Sequence, residues 1–235
     1  MKHVLVTGAS HGLGAALARV LAERGHRVAI AARNANELRL RAEQIGASAP
    51  QSVVCEAVDL RDTASIEPFA RRVEAALGGV DVVVHNAAIG PWRPFLDNPP
   101  GELTDLVQLN IAAPMLLTHA LLPGMLARGR AQLISIASDL ARRPLANMAP
   151  YVASKHALLG FTASLHKELR ASGLRCTTVL PGIIDSAFNG AVEGSKDRQW
   201  ALPTHDLAQQ VAALVDLPAH IVVDEMTIHP AEGDY

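Results

Sequence analysis

Short aliphatic runs alternate along this chain with longer stretches of helical period, and no other feature restricts the fold as much. Strand-like runs fall at residues 3–6, 26–31, 52–58, 80–85, 132–137, 174–180 and 220–225. Helical stretches lie between them at 13–24, 34–45, 63–77, 102–127, 151–172 and 206–216. A strand that returns through a helix to a further strand implies parallel pairing by crossovers. The runs are almost unbroken Val, Leu, Ile and Ala, as strands buried on both faces are. Aromatic residues make up only 3% of the chain, so aliphatic side chains must fill the core. The pattern predicts an α/β fold: one doubly wound, mostly parallel, seven-stranded sheet with helices on both faces. A single domain over 1–235 is expected, since no low-complexity linker or repeat divides the chain. The long 102–127 helix is expected to bend near Pro114.

Several function classes are disfavoured at once. The net charge is −2 and no basic run occurs, which gives nucleic acid or a membrane surface no footing. Residues 111–127 are apolar but broken by Pro114, Thr118, His119, Pro123 and Gly124, which reads as a buried helix rather than a span. Cys55 and Cys176 sit in apolar strand-like segments and read as small buried hydrophobes. No His, Cys or carboxylate grouping has metal-ligand spacing, so no metal is expected. The apolar stretch that follows His3 is too short for a signal peptide, so a cytoplasmic location is expected.

Two irregular stretches stand out. Residues 90–101 are rich in proline, and 183–203 leave the end of a strand. Ligands of open parallel sheets bind beyond the carboxyl ends of the strands, so 183–203 is the expected substrate-binding loop. Trp92 and Trp200 fall in these stretches as possible substrate contacts or loop anchors. Asp139 reads as a turn residue. Arg142 and Arg143 read as solvated loop charges, with an anionic substrate or a neighbouring subunit as the alternative.

The first strand runs into Thr7-Gly8-Ala9-Ser10-His11-Gly12-Leu13-Gly14 and then a helix. Gly8 permits a tight turn, Gly12 lets backbone approach a pyrophosphate, and Gly14 lets helix and strand pack closely. The helix start adds N–H donors and partial positive charge, so the turn reads as a dinucleotide phosphate site of Rossmann type. Ser10, His11 and Leu13 belong to it. The second strand carries no acidic residue at its end, where a ribose 2′-hydroxyl would be bound. Ala32 and Arg33 stand there instead, and a guanidinium suits a 2′-phosphate. NADP(H) is therefore expected ahead of NAD(H).

Tyr151 and Lys155 are four residues apart at a helix start, hence on one face. Ser138 lies just past the strand 132–137. An ammonium about 4 Å from a phenol would favour the phenolate by about 4 kcal/mol at an effective dielectric near 20, before desolvation is subtracted. That points to proton transfer at a substrate oxygen, with Ser138 as hydrogen-bond donor.

Taken in order, the glycine turn, Asp59-Leu60, Asn86-Ala87-Ala88, Asn110, Ser138, Tyr151-Val152-Ala153-Ser154-Lys155 and Pro181-Gly182 resemble the short-chain dehydrogenase/reductase family over essentially the whole chain. The resemblance implies Tyr151 as general acid or base, Lys155 on the nicotinamide ribose, and Ser138 on the substrate oxygen. It implies that Asn110 bends the long helix and holds a relay water. It gives Asp59 the adenine amino group with Leu60 beside it, and Asn86, Ala87 and Ala88 the adenine-side ribose. Pro181, Gly182, Ile184 and Ser186 would contact the nicotinamide. His85 and Ala88 depart from the family's Asn-Asn-Ala-Gly, and Ser186 stands where Thr is usual. The expected activity is hydride transfer between cofactor and a small carbonyl or alcohol, by a homodimer or homotetramer. The competing reading is a sensor or scaffold that binds NADP(H) without turnover.

Overall fold

A computed structural model of the chain describes residues 1–49, 52–195 and 199–232. The first half alternates β1 (His3–Thr7), α1 (Gly12–Glu23), β2 (Arg27–Ala32), α2 (Ala35–Ser48), β3 (Val53–Ala57), α3 (Thr63–Leu77) and β4 (Val82–His85). The second half continues with α4 (Pro100–Val107), α5 (Ala113–Ala127), β5 (Gln132–Ile136), α6 (Ala149–Leu169), β6 (Arg175–Pro181), α7 (Thr204–Asp216) and a last main-sheet strand at Glu225–Ile228. A two-stranded ribbon within 183–203 pairs Ile184–Asp185 with Leu202–Pro203. These ribbon strands are β7 and β8, and Glu225–Ile228 is β9.

The main sheet has the order β3-β2-β1-β4-β5-β6-β9, and all its pairs are parallel. The expected seven-stranded, doubly wound sheet is therefore present. The chain starts in the middle, winds out to β3, then returns to β4 and winds the other way. The direction reverses between β1 and β4, which opens a crevice at their carboxyl ends.

Alternation along each strand divides the core. Val4, Val6, Val82 and Val84 face α1, α2 and α7. Leu5 and Val83 face α3 and α5, with the partly buried Phe161 and Leu165 of α6 on the same side. Helix α1 presents Leu13, Leu17, Val20 and Leu21 as one apolar stripe. Gly25, at φ 83°, turns the chain into β2.

One expectation needs correction. The last strand is not 220–225. Ile221 and Val222 are each 39% exposed, and Arg175 donates to the carbonyls of Pro218 and Ile221. The apolar density of Ile221-Val222-Val223 suggested a strand, but the turn from Pro218 to Ile221 that leads into it leaves that segment outside the sheet. In Glu225–Ile228 the alternate residues Met226 and Ile228 pack on the core.

The long helix is interrupted at Gln108–Ala112, one stretch of π-helix that contains Asn110, the residue the resemblance gave this role, and ends two residues before Pro114. Pro114 has no N–H to give the carbonyl four residues back, at Asn110, and just ahead of it Ala113 N reaches five residues back to Gln108 O. Pro100–Ala127 is, among the described residues, the one helix long and apolar enough to cross a membrane. Its Leu106, Leu117, Leu121 and Met125 are buried in the protein.

Candidate active site

At the crevice between β1 and β4, the glycine turn leaves no room for a side chain at two positions and takes a left-handed backbone at a third, Gly12. Gly8 has φ 66°, and a Cβ there would lie 2.8 Å from Ala87 Cα. Gly12 has φ 54° and faces Ser186 across the cleft. A Cβ on Gly14 would strike the Gly8 carbonyl and lie 2.5 Å from Asn86 Nδ2. Asn86 Nδ2 donates to the carbonyls of Thr7 and Gly8, at 2.9 and 3.1 Å. Thr7 Oγ1 donates to Val84 O and accepts from the N–H groups of Asn86 and Ala87. One hydroxyl thus joins the ends of β1 and β4. Ala88, where the family has Gly, is not at positive φ and fits unstrained.

His11 is the N-cap of α1 and makes no side-chain cap bond, and the first turn holds no acidic residue. The first N–H groups of α1 have no intrahelical acceptors. The turn can therefore receive an anion.

A cleft of about 550 Å³ opens beside this turn. It is lined by Gly8, His11, Gly12, Leu13, Asn86, Ala87 and Ala88 on one side. Ser138, Tyr151, Lys155, Pro181, Gly182, Ile184 and Ser186 line the other. Residues from five separated segments meet because parallel strands end at one edge. Ser10, Gly14, Arg33, Asp59, Leu60 and Asn110 are not part of this lining. Gly14 and Asn110 act from behind it. Leu60 is buried in the core. Arg33 is exposed past the end of β2, close enough for its charge to help hold Asp59 ionised.

Tyr151 and Lys155 sit in the first two turns of α6, both buried. Lys155 Nζ donates to Ile136 O at 2.8 Å and lies 5.4 Å from the centre of the Tyr151 ring. Burial raises the Tyr151 pKa; the hydrogen bond with Ser138 works against that rise and the charge of Asp139 adds to it. Burial pushes Lys155 down to about 7. The sequence arithmetic expected the ammonium to make the phenol acidic. Desolvation, which disfavours both charged forms, wins instead. The phenol is held protonated, which is the form an acid needs.

Asn110 lies in the π-turn with only 2% exposure. Its Oδ1 accepts from Ile89 N, and its Nδ2 donates to Ile89 O and Ser154 Oγ. Ser154 in turn donates to Tyr151 O. Asn110 therefore ties the segment after β4 to the helix that carries Tyr151. Ser138 Oγ donates to Asp139 Oδ1 at 3.1 Å and accepts from Leu140 N.

Several residues around the site were not anticipated. Asp139 is no plain turn residue: it is buried, takes a 2.7 Å ion pair from Arg143, and lies 3.5 Å from His229. Arg143, read as a solvated charge, lines the cleft. Arg142 pairs with Glu225 at the surface. Gly90 meets the Tyr151 ring, for a Cβ there would lie 2.5 Å from Cδ2. Asp59 is clasped by Arg61, which also reaches Asp105. Arg41 donates twice to the carbonyl of Ser10, each at 3.2 Å. Its signal in the sequence was faint: it shares a stripe with buried Leu38 and Ile45 on α2. Trp92 lines the cleft and Trp200 does not. Of the expected substrate loop, residues 183–195 and 199–203 are described, and 196–198 lie outside the described residues.

A family model described as short chain dehydrogenase matches residues 2–197. An uncharacterized oxidoreductase of Staphylococcus aureus strain N315 is 30% identical over 229 residues, which span 97% of each chain. The structure of an alcohol dehydrogenase from the archaeon Thermococcus sibiricus, complexed with 5-hydroxy-NADP, superposes with a TM-score of 0.93 at 26% identity over 100% of both chains. A metagenomic short-chain oxidoreductase in complex with NADP gives a TM-score of 0.86 at 35% identity, covering 99% of this chain and 98% of that one. With a match over most of its length and a sheet in common with these enzymes, the chain is an oxidoreductase and belongs to the short-chain dehydrogenase family.

Proposed function

We propose that the protein is an NADP(H)-dependent carbonyl reductase or alcohol dehydrogenase. One observation carries this reading: Ser138, Tyr151 and Lys155 face the same cleft as the glycine turn. The residues fit the cofactor. The bare Gly12 backbone and the α1 N-terminus suit a pyrophosphate. Arg33 suits a 2′-phosphate, and no acidic residue stands at the end of β2 to oppose it. Asp59, kept ionised by Arg61, suits the adenine amino group, and Asn86, Ala87 and Ala88 the ribose beside it. Lys155 suits the nicotinamide ribose, and Pro181, Gly182, Ile184 and Ser186 the nicotinamide itself. The NADP and 5-hydroxy-NADP held by the similar structures support the same choice. When bound, NADP(H) gives or takes the hydride.

The chain's own residues handle the proton. In the reducing direction Tyr151 donates to the substrate oxygen as charge builds there. An alkoxide is about as basic as hydroxide, far more basic than a phenolate, so a phenol with raised pKa still gives up its proton to it. Ser138 turns its hydrogen from Asp139 to the same oxygen. Lys155 would hold the ribose of bound NADP(H) and keep a proton near Tyr151, while Asn110 fixes the helix that carries both through Ser154. Val107, Met115 and Leu116, exposed on the long helix, support assembly as a homodimer or homotetramer.

The test follows NADPH absorbance with a panel of aldehydes, ketones and 3-oxo esters. Turnover of at least one is expected, with at least a 100-fold loss of kcat in Tyr151→Phe. Tight NADPH binding with no turnover across the panel would favour the sensor reading.

A further inference from the structure

The substrate half of the cleft is more apolar than a monomer's surface needs to be. Trp92, Leu145, Ile183 and Phe188 line it, yet are 61%, 44%, 42% and 37% exposed. Adjacent large hydrophobic side chains left open to water in a concave site mark a surface that something covers. The Phe188 ring lies 5.9 Å from the Tyr151 ring, so the apolar wall reaches the reacting group.

The charges of the cleft point the same way. Among the described lining residues, the basic side chains are Arg143, Lys155 and, at the glycine turn, His11, and the carboxylate is Asp139. Arg143 is engaged by Asp139 at 2.7 Å. Lys155 is turned to the Ile136 carbonyl at 2.8 Å. Neither presents its charge to a substrate carboxylate. Asp139, bonded to Ser138 at 3.1 Å, places a negative charge next to where the reacting oxygen sits. With Asp139 and Arg143 closed on each other, the substrate half has no net positive charge to draw an anion, and along its apolar wall a sugar meets few polar partners.

We propose that the substrate is an uncharged carbonyl compound with an apolar alkyl or aryl body. Its body lies along Trp92, Leu145 and Phe188, and its C=O sits at Ser138 and Tyr151. The inference rests on the reductase reading above. In the reaction the carbonyl carbon gains the hydride of NADPH and the oxygen gains the Tyr151 proton. The products are the neutral alcohol and NADP⁺.

The experiment compares kcat/KM, with NADPH, for the 2-alkanones from four to nine carbons, for acetophenone, for pyruvate and for an aldose. A buried methylene is worth about 0.8 kcal/mol, so kcat/KM is expected to rise about two- to fourfold per carbon along a half-open wall. Pyruvate and the aldose are expected at under about a hundredth of the best ketone. Trp92→Ala and Leu145→Ala should flatten the slope of the series. A change in fold or catalytic geometry would instead lower every member by one factor. Asp139→Asn, which releases Arg143, should raise the pyruvate-to-alkanone ratio at least tenfold. A flat series, a slope untouched by both wall variants, or better turnover of pyruvate or the aldose would overturn the substrate class and leave the reductase reading standing. Absence of turnover with every carbonyl, with NADPH bound, would overturn both.

Discussion

Tyr151 and Lys155 are both displaced from their ordinary titration by burial, and His85 shares that fate without a role in the chemistry. His85 is fully enclosed beneath the cleft, its ring nitrogen Nε2 2.8 Å from Thr118 Oγ1, and burial pushes its pKa down to about 3. The folded protein thus resists protonation that the unfolded chain accepts below about 6.5. Between those values the unfolded state binds more protons, so stability rises with pH and is lost as pH falls. The full difference is roughly 5 kcal/mol at about 1.36 kcal/mol per unit, of which about half should be gone by pH 4.5. Urea unfolding at pH 4.5 and 7 checks this: His85→Asn should narrow the gap by more than 1 kcal/mol. An unchanged gap would show that other groups govern the acid limb. The departure from Asn was visible in the sequence. Its physical meaning was not, because burial of one side chain depends on the helix packed over it.

At the scale of elements, α2 and the glycine turn act together. Arg33 leaves the end of β2 exposed, whereas Arg41 reaches across from α2 to hold the carbonyl of Ser10. The two arginines should therefore fail differently. Arg33→Ala should weaken NADPH at least tenfold and spare NADH, since only the former carries a 2′-phosphate. Arg41→Ala should weaken both by a similar factor, because it loosens the turn that takes the shared pyrophosphate. Titration of both cofactors into both variants distinguishes them, and equal losses in Arg33→Ala would refute the 2′-phosphate role. Local spacing made the glycine turn legible, for Gly8, Gly12 and Gly14 sit within one turn and its helix. Arg41 was hidden because its partner lies 31 positions away. The irregular turn around Asn110 was half legible: Pro114 announced a disturbance, but the backbone met it ahead of the proline. Asp139 was misread although its partner Arg143 lies only four residues on, because a loop, unlike a helix, does not by rule bring positions four apart onto one face.

Across the whole molecule, the alternation of strands and helices gave six of the seven strands in place. The seventh was displaced because an edge strand needs only one apolar face, and Ile221-Val222-Val223 outshone Met226 and Ile228. That short strand closes the sheet. It pairs with β6 from Thr178 to Pro181, and Gly182 N donates to Ile228 O at 2.8 Å. Ending the chain after Val223 should leave β6 an open edge and uncover part of the core beneath it. Loss of soluble protein is the expected result, read by expression and gel filtration. A soluble truncated chain with an unchanged melting temperature would show that β9 is dispensable.

The uniform direction of the seven strands has a wider effect. Every loop that borders the cleft begins where a strand stops, so its length and composition can drift without altering a single rung of the ladder. A shift inside a strand would invert which faces meet the helices. Such a scaffold lets lineages explore new specificities by editing rims while the supporting framework stays fixed.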